Sequence, residues 1–401
     1  MRKYHRMDRR SFTKLLGSVA IAYNSGLKAL VSGDRIVVVG AGIVGSSIAY
    51  HLTKMGAEVT LIERDRPAAH ASGRSFAWIN ASYPKKPYSY HHLSQLSLLA
   101  YHRLETEIDI DVRWGGSLEW FTSQENQKML VQEIEIQQGY GVPVQMISGE
   151  QAHELEPNVE FDKNASIAFS KLDGAVDAVG VVDKFLRKTI SLGSKVLYPV
   201  TYKSLKIVGN KIVAVRTSVG EIETDQVVFA CGVDTDELLK INVLKISRPG
   251  IILRTQPMKK VIDRVIVAPG VHIHQQHDGK VVIGEQAGVP ISHLNRLAMK
   301  PESFPSAAFE MQHGERILAI AQKFVPQLET IELEQVVIGW RPLPHDERPV
   351  VGHVKNIPGA YLATMHSGVT LAPIIGELVA MELLDGTETN LLTDFRPKRF
   401  Y

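Results

Sequence analysis

The stretch RIVVVGAGIVGSSIAYHLTKMGAEVTLIE, Arg35 to Glu63, decides the fold. A short apolar run, Ile36 to Val39, leads into Gly40-Ala41-Gly42-Ile43-Val44-Gly45, and a helix-period segment follows with Ile43, Ile48 and Leu52 on one face. Gly56 breaks that segment, and Val59 to Ile62 form a second buried strand ending in Glu63. Strand, glycine turn, helix and strand in this order make a βαβ opening. Gly40 permits the tight turn, Gly42 lets the backbone approach a pyrophosphate lying on the helix N-terminus, and Gly45 lets helix and strand pack closely. Ala41 and Ile43 belong to the same phosphate-binding turn. Glu63 stands about twenty residues on, at the tip of the second strand, where a carboxylate accepts hydrogen bonds from a ribose diol, and Arg64 adjoins it. The stretch therefore reads as a site for an adenine dinucleotide.

At 401 residues the chain is too long for one compact core and suits two intertwined domains. Hydrophobic content of 44% with 22% charged residues describes an ordinary globular protein. The net charge of +2, with no basic run interleaved with aromatics, gives no reason to expect a nucleic-acid partner. The single cysteine, Cys231, excludes an internal disulfide and sits in the apolar run VVFACG, where a small buried core residue is the default reading.

Residues 1–33 read as a leader. Arg9-Arg10-Ser11-Phe12-Thr13-Lys14 resembles a twin-arginine export signal, and a moderately apolar stretch, Leu15 to Ala22, follows with small residues at Ala20 and Ala22. That stretch is too short and too polar to span a membrane, and no other segment reads as a span. A basic tail preceding the first strand is the alternative. The leader reading places the protein in the periplasm.

Beyond Glu63 the chain departs from a simple nicotinamide domain. Residues 64–82 are rich in small residues around Ser72-Gly73-Arg74-Ser75, and a mostly helical region is expected from there to about Pro157. A helix over AVDAVGVVDKFLRKTISLGSKVLY precedes a hairpin at Lys206 to Arg216 with Gly209-Asn210 as its turn. Thr224 to Gly232 reads as a buried strand. Arg248 to Glu285 alternates like antiparallel strands with Asp278-Gly279 as a turn, residues 294–328 read as helix, and Pro373 to Leu384 as a closing helix.

Together these blocks resemble the superfamily of FAD-dependent amine and amino-acid oxidoreductases that includes D-amino-acid oxidase, glycine oxidase and sarcosine oxidase. The resemblance runs from Arg35 to the C-terminus. It rests on Gly40-x-Gly42-x-x-Gly45 with Glu63, Ala71-Ser72-Gly73-Arg74, Val227-Val228-x-Ala230-x-Gly232, Gly339-x-Arg341-Pro342 followed by Pro349-x-x-Gly352, and Met365-His366-Ser367-Gly368-Val369-Thr370-Leu371-Ala372-Pro373. It implies an α/β fold with a Rossmann-like FAD-binding domain from residues 34–84, 163–244 and 337–401. It also implies a second, α+β substrate domain built on an antiparallel sheet from residues 85–162 and 245–336. Gly40, Gly42, Gly45 and Glu63 would hold the ADP half, and Gly232 would also belong to the cofactor site. Ser72, Gly73, Arg74 and Ser75 would lie along the pyrophosphate and flavin, and Gly368, Val369 and Thr370 along the ring's pyrimidine side.

The same resemblance implies that Arg341 grips a substrate carboxylate with its bidentate fork; the alternative is an internal ion pair with Asp346 or Glu347. His272 and His274 alternate on one strand face, so a role for His274 over the flavin is expected, and His366 precedes the flavin-lining glycine. A metal held by His272, His274 and His277 is the weaker reading, and no metal is assigned. Asp234 stands where relatives usually carry an aromatic residue. Neither Cys231 nor His70 matches a covalent flavin link, so FAD is expected to be held non-covalently. The implied reaction is hydride transfer from a small amine or amino acid to flavin N5, with oxygen or a carrier as electron acceptor. A 2-hydroxy-acid dehydrogenase using His274 or His366 as base, and a non-catalytic electron-transfer subunit, are the alternatives.

Overall fold

The computed structural model describes residues 34–80, 85–286 and 306–401. The expected leader and part of the expected 294–328 helix lie outside the described residues. Arg35–Val39 runs parallel between Glu58–Ile62 and Gln226–Phe229, in a six-stranded sheet completed by Lys195–Leu197 at one edge and by Ala360–Thr364 and Val350–His353 at the other. Its central strands are Val- and Ile-rich because both faces are covered. The helices Ile43–Lys54, Ala178–Ser191 and Gly368–Asp385 close one face, and the antiparallel strands Tyr202–Val208, Lys211–Thr217 and Gly220–Glu223 close the other. The Gly209-Asn210 turn has φ of +53° and +65°, as a two-residue hairpin requires.

Helix Gly368–Asp385 lies against helix Ile43–Lys54 so closely that a Cβ on Gly376 would sit 2.3 Å from the Ser47 hydroxyl. That hydroxyl donates to the carbonyl of Ala372 at 2.7 Å. The helix starts before the expected Pro373, which lies inside it. A proline has no N–H, so the carbonyl four residues back, Val369, has no helical donor. The Tyr101 hydroxyl fills the gap, donating to it at 2.6 Å. The last residues fold back: Arg396 forms a fork with Glu382 at 2.5 and 2.7 Å, and the Tyr361 hydroxyl donates to the same carboxylate. Both side chains of that ion pair are buried.

The second sheet has eight strands in the order Leu333–Gly339, Gly250–Thr255, Val281–Glu285, Val271–Gln275, Val265–Ala268, Ser117–Glu119, Ser166–Ser170, Val144–Ser148. Alternation splits its side chains. Ile251, Leu253, Ile273 and Ile283 form a core with helix Gly314–Phe324, while Ile252, Val282 and Val337, with Val265 and Val267, meet Phe76 and Trp78 on the other side. The segment expected to be mostly helical holds the helices Tyr88–Ile108, Gln124–Gly139 and Gly149–Leu155. Between them lie the strands Val112–Trp114, Ser117–Glu119 and Val144–Ser148, too short to show a period of two. Two segments sit across the expected domain boundaries. Helix Tyr88–Ile108 packs in the core of the first domain, and strand Ser166–Ser170 pairs within the second sheet.

Candidate active site

The glycine turn has the shape a dinucleotide needs. Gly40 adopts φ +105°, and a Cβ there would lie 2.5 Å from the carbonyl of Ala230; one on Gly45 would lie 2.0 Å from the carbonyl of Gly40. Gly42 is different: within 4 Å its Cβ would meet only the Ser72 hydroxyl, at 3.3 Å. The first two glycines of close packing serve the fold, and Gly42 leaves open space in front of the helix. That helix has no acidic residue in its first turn and no cap from the Gly42 position, so beyond the Ile43 and Ser46 N–H groups, which are bonded, its first turn and the positive end of its dipole remain available to an anion. The start of helix Gly368–Asp385 is likewise uncapped, and a Cβ on Gly368 would touch Val44, which places the two helix N-termini side by side.

Around this cradle the expected residues take specific partners. Glu63 is buried at the strand tip, its two oxygens accepting from the backbone N–H of Ala41 at 2.9 Å and of Asp65 at 3.0 Å. Ser72 accepts from the N–H of Ile43, and the Ser75 hydroxyl donates to the carbonyl of Ser72. Gly73 presses on the carbonyl of Ala68. Arg64 pairs with Asp234 at 2.8 Å, which gives the unexpected aspartate a partner. Gly232 has φ +56° and its carbonyl accepts from the hydroxyls of Thr235 and Thr364. The Thr370 hydroxyl accepts from the N–H of Asn80, so its side chain ties the helix to the chain after Trp78. The Arg74 guanidinium bonds the buried Glu310 at 2.7 Å and the carbonyl of Ile338, fastening the small-residue segment to the eight-stranded sheet.

Arg341 stands close enough to His272 and His366 for its charge to act on both imidazoles. Arg341 and His366 remain exposed and His272 half-buried, yet burial of their surroundings dominates the titration of each. Exposure combined with desolvation is what a group lining a deep cavity shows. Burial first and the Arg341 charge second push His272 down to about 4; burial, Arg341 and then Lys85 push His366 down to about 4. Both imidazoles are neutral at neutral pH. Among the described residues Arg341 has no ion pair: Asp346 is taken by Arg399 and Arg348, and Glu347 by Lys245.

His274 lies elsewhere. It shares the strand face with His272, both rings packing on Phe76, but it is buried and its Nε2 bonds the carbonyl of Phe76 at 2.8 Å. It holds the backbone under Phe76 instead of facing the cavity. His277 is exposed beside Asp111, so the three histidines do not converge on a metal. Among the described residues the donor atoms of Glu63, Asp65 and His70 do lie within 4.8 Å of one another, with the His70 Nε2 bonded to Asp65 at 2.6 Å. Lys85 had no sequence signal beyond its basic neighbour Lys86. Buried, it donates to the carbonyl of Asn80 at 2.6 Å and to Ser94 at 3.0 Å, and burial pushes it down to about 7.

Comparison with known proteins bears on this cradle. The DAO family, described as FAD dependent oxidoreductase, matches residues 35–381. This chain belongs to that family. A glycine oxidase of Bacillus licheniformis is 26% identical over 386 residues, covering 90% of this chain and 96% of that one. The structure of an L-proline dehydrogenase from P. horikoshii superposes with a TM-score of 0.79 at 25% identity, covering 92% and 98% of the two chains. Glycine oxidase from Geobacillus kaustophilus superposes at 0.79 with 21% identity, covering 90% and 98%. The family's cofactor is FAD, and the protein is an FAD-dependent oxidoreductase. The open space at Gly42, the two uncapped helix N-termini and the strand-tip Glu63 fit that cofactor.

Proposed function

We propose that the protein oxidises a small amine or amino acid, with Arg341 holding the substrate carboxylate and the FAD bound non-covalently. When bound, FAD supplies a two-electron acceptor for hydride. The observation carrying the reading is Arg341: a guanidinium lying over Gly250, desolvated, and without an anionic partner among the described residues, although two carboxylates follow it closely in sequence. A desolvated cation of this kind gains most from a bidentate carboxylate.

The surrounding groups suit a free-base amine. Neutral His272 and His366 present no cation to the substrate nitrogen, and Arg341 helps keep them neutral. An amine that has lost its proton already carries the lone pair that expels hydride, so orientation and exclusion of water are what the protein must add. The eight-stranded sheet contributes His272, whose ring packs on Phe76 and meets Trp78, both from the chain beside that sheet.

Arg341→Ala tests the anchor. Carboxylate-bearing substrates should lose roughly 2 to 4 kcal/mol of transition-state stabilisation, the range for removing one partner of a desolvated charge pair, while matched amines lacking the carboxylate lose little. Arg341→Lys should recover part. Equal losses for both substrate classes, with loss of flavin, would identify a structural arginine.

Export is proposed on the Arg9-Arg10 segment. Replacing both arginines with lysine should retain the protein in the cytoplasm, and finding the unaltered chain wholly cytoplasmic at full length would overturn the proposal.

A further inference from the structure

The Arg341 guanidinium lies over the first residue of strand Gly250–Thr255, and that residue has no side chain. A Cβ added to Gly250 would stand 3.3 Å from Arg341 Nη2, 3.5 Å from Nε and 3.7 Å from Cζ, the three nearest atoms beyond its chain neighbours. The backbone gives no reason for glycine. Its φ lies outside the left-handed region, and it pairs in register with Gly339 as any strand residue could. Two further glycines on this sheet face differ. A Cβ on Gly339 would strike the Arg74 carbonyl oxygen at 2.9 Å, and one on Gly284 the Phe76 ring at 3.2 Å, so packing of the fold closes both positions. At Gly250 the nearest matter is the guanidinium itself.

The backbone that carries Arg341 is held by the segment leading into the same strand. The Ser247 hydroxyl donates to the Arg341 carbonyl at 2.8 Å, the Lys245 N–H donates to the Leu343 carbonyl at 2.9 Å, and Leu244 bridges Pro344. With that backbone anchored and the position beneath it bare, the height of the guanidinium above the sheet is set at Gly250. Glycine in a strand gives up side-chain packing and loses more chain entropy on folding than any other residue, and it often marks a point of close approach. Here the approaching group is a desolvated cation.

We propose that Gly250 is a positioning residue, a bare floor that lets the Arg341 guanidinium settle onto the sheet and thereby sets where a substrate carboxylate is held. The inference rests on the amino-acid reading above and adds the residue that aims its anchor. Alanine at this position makes the guanidinium give by a few tenths of an ångström, and a branched side chain takes the place where it lies. The paired bonds of a guanidinium to a carboxylate depend on the fork's direction, so a lifted Arg341 keeps its charge and loses its geometry. The strand itself gains. Alanine and valine both lose less chain entropy than glycine, and valine suits a pleated surface. Stability and carboxylate binding therefore move in opposite directions, which a glycine needed by the fold does not allow.

The test uses the FAD-loaded protein, with acetate, propionate and benzoate as carboxylate probes and their primary amides as uncharged controls, each titrated by its perturbation of the flavin spectrum. For the carboxylate that binds best, Gly250→Ala should weaken binding about two- to fivefold and Gly250→Val about a hundredfold, the scale of a misplacement of about 1 Å. The amides carry no charge for the fork to grip, so their binding should change by less than about twofold. Both variants should keep FAD through gel filtration, and their apoproteins should melt at or above the parent temperature. A Gly250→Val protein that binds carboxylates as tightly as the parent overturns the floor. So does one that loses carboxylates and amides alike, or that fails to fold while Gly250→Ala sheds FAD, since either makes Gly250 structural. Arg341→Ala is the reference arm. If it weakens carboxylates and Gly250→Val does not, the floor falls and the anchor stands. If it leaves carboxylate binding unchanged, or if no carboxylate perturbs the flavin, the amino-acid reading falls and the floor with it.

Discussion

Tyr101→Phe isolates one hydrogen bond next to the flavin-lining turn. Pro373 deprives the Val369 carbonyl of its helical donor, and the Tyr101 hydroxyl supplies the replacement at 2.6 Å. The ring of Tyr101 is fully buried, so phenylalanine keeps the packing and removes only the hydroxyl. A buried acceptor left without a donor costs about 1–3 kcal/mol, and because Val369 is partly exposed the expected loss is about 1–2 kcal/mol. In a chain of this size that lowers the melting temperature by on the order of 2–4 °C. The second arm is a rescue. Pro373→Ala returns an N–H to the position four residues on from Val369, so it should restore most of the loss in the Tyr101→Phe background while changing little alone. Denaturant unfolding of the apoprotein and the FAD-loaded protein measures both arms, with unchanged m-values showing that the same transition is compared. A Tyr101→Phe protein as stable as its parent, or a double variant no better than the single one, refutes the reasoning.

Arg396→Met should cost about 3–5 kcal/mol because it strands the buried Glu382 carboxylate, and adding Glu382→Gln should recover a large part; additive losses in a double-mutant cycle would show that the pair does not act as a unit. Gly45→Ala should yield protein that no longer retains yellow colour through gel filtration, since its Cβ would sit 2.0 Å from the Gly40 carbonyl; a normally coloured protein contradicts the tight turn. Burial lowers His272, His274 and His366 to about 4, so in the folded state they bind fewer protons than in the unfolded state between that value and the ordinary histidine range. Stability of the apoprotein should therefore fall as pH drops from about 6.5 toward 4, and His274→Gln should flatten the slope; an unchanged slope would show that His274 is already protonated in the fold.

What the sequence made legible is local. Arg35 to Glu63 announces itself because strand, turn, helix and strand follow without interruption, and Gly209-Asn210 and Asp278-Gly279 because their turns demand positive φ. The partners that the sequence does not show lie far along the chain. Arg74 meets Glu310, Arg64 meets Asp234, and His274 meets the backbone of Phe76, each pairing made only when separated segments come together. Lys85 beside Lys86 reads as a solvated pair, and only the packing of helix Tyr88–Ile108 buries one of them.

The strand order of the first domain has a consequence for the chain as it is made. Arg35–Val39, among the first residues of the fold to emerge, lies between Glu58–Ile62 and Gln226–Phe229, and Ala360–Thr364 lies beyond. The helix that presses on the glycine turn ends at Asp385, and its clamp, Arg396, comes later still. The chain must therefore be made through Arg396 before the earliest of these segments finds its final neighbours. Such long-range closure is slow and leaves apolar edges waiting meanwhile. Cofactor loading is a late event in the life of this chain, and a nascent fragment that stops before Gly368 has half a cradle.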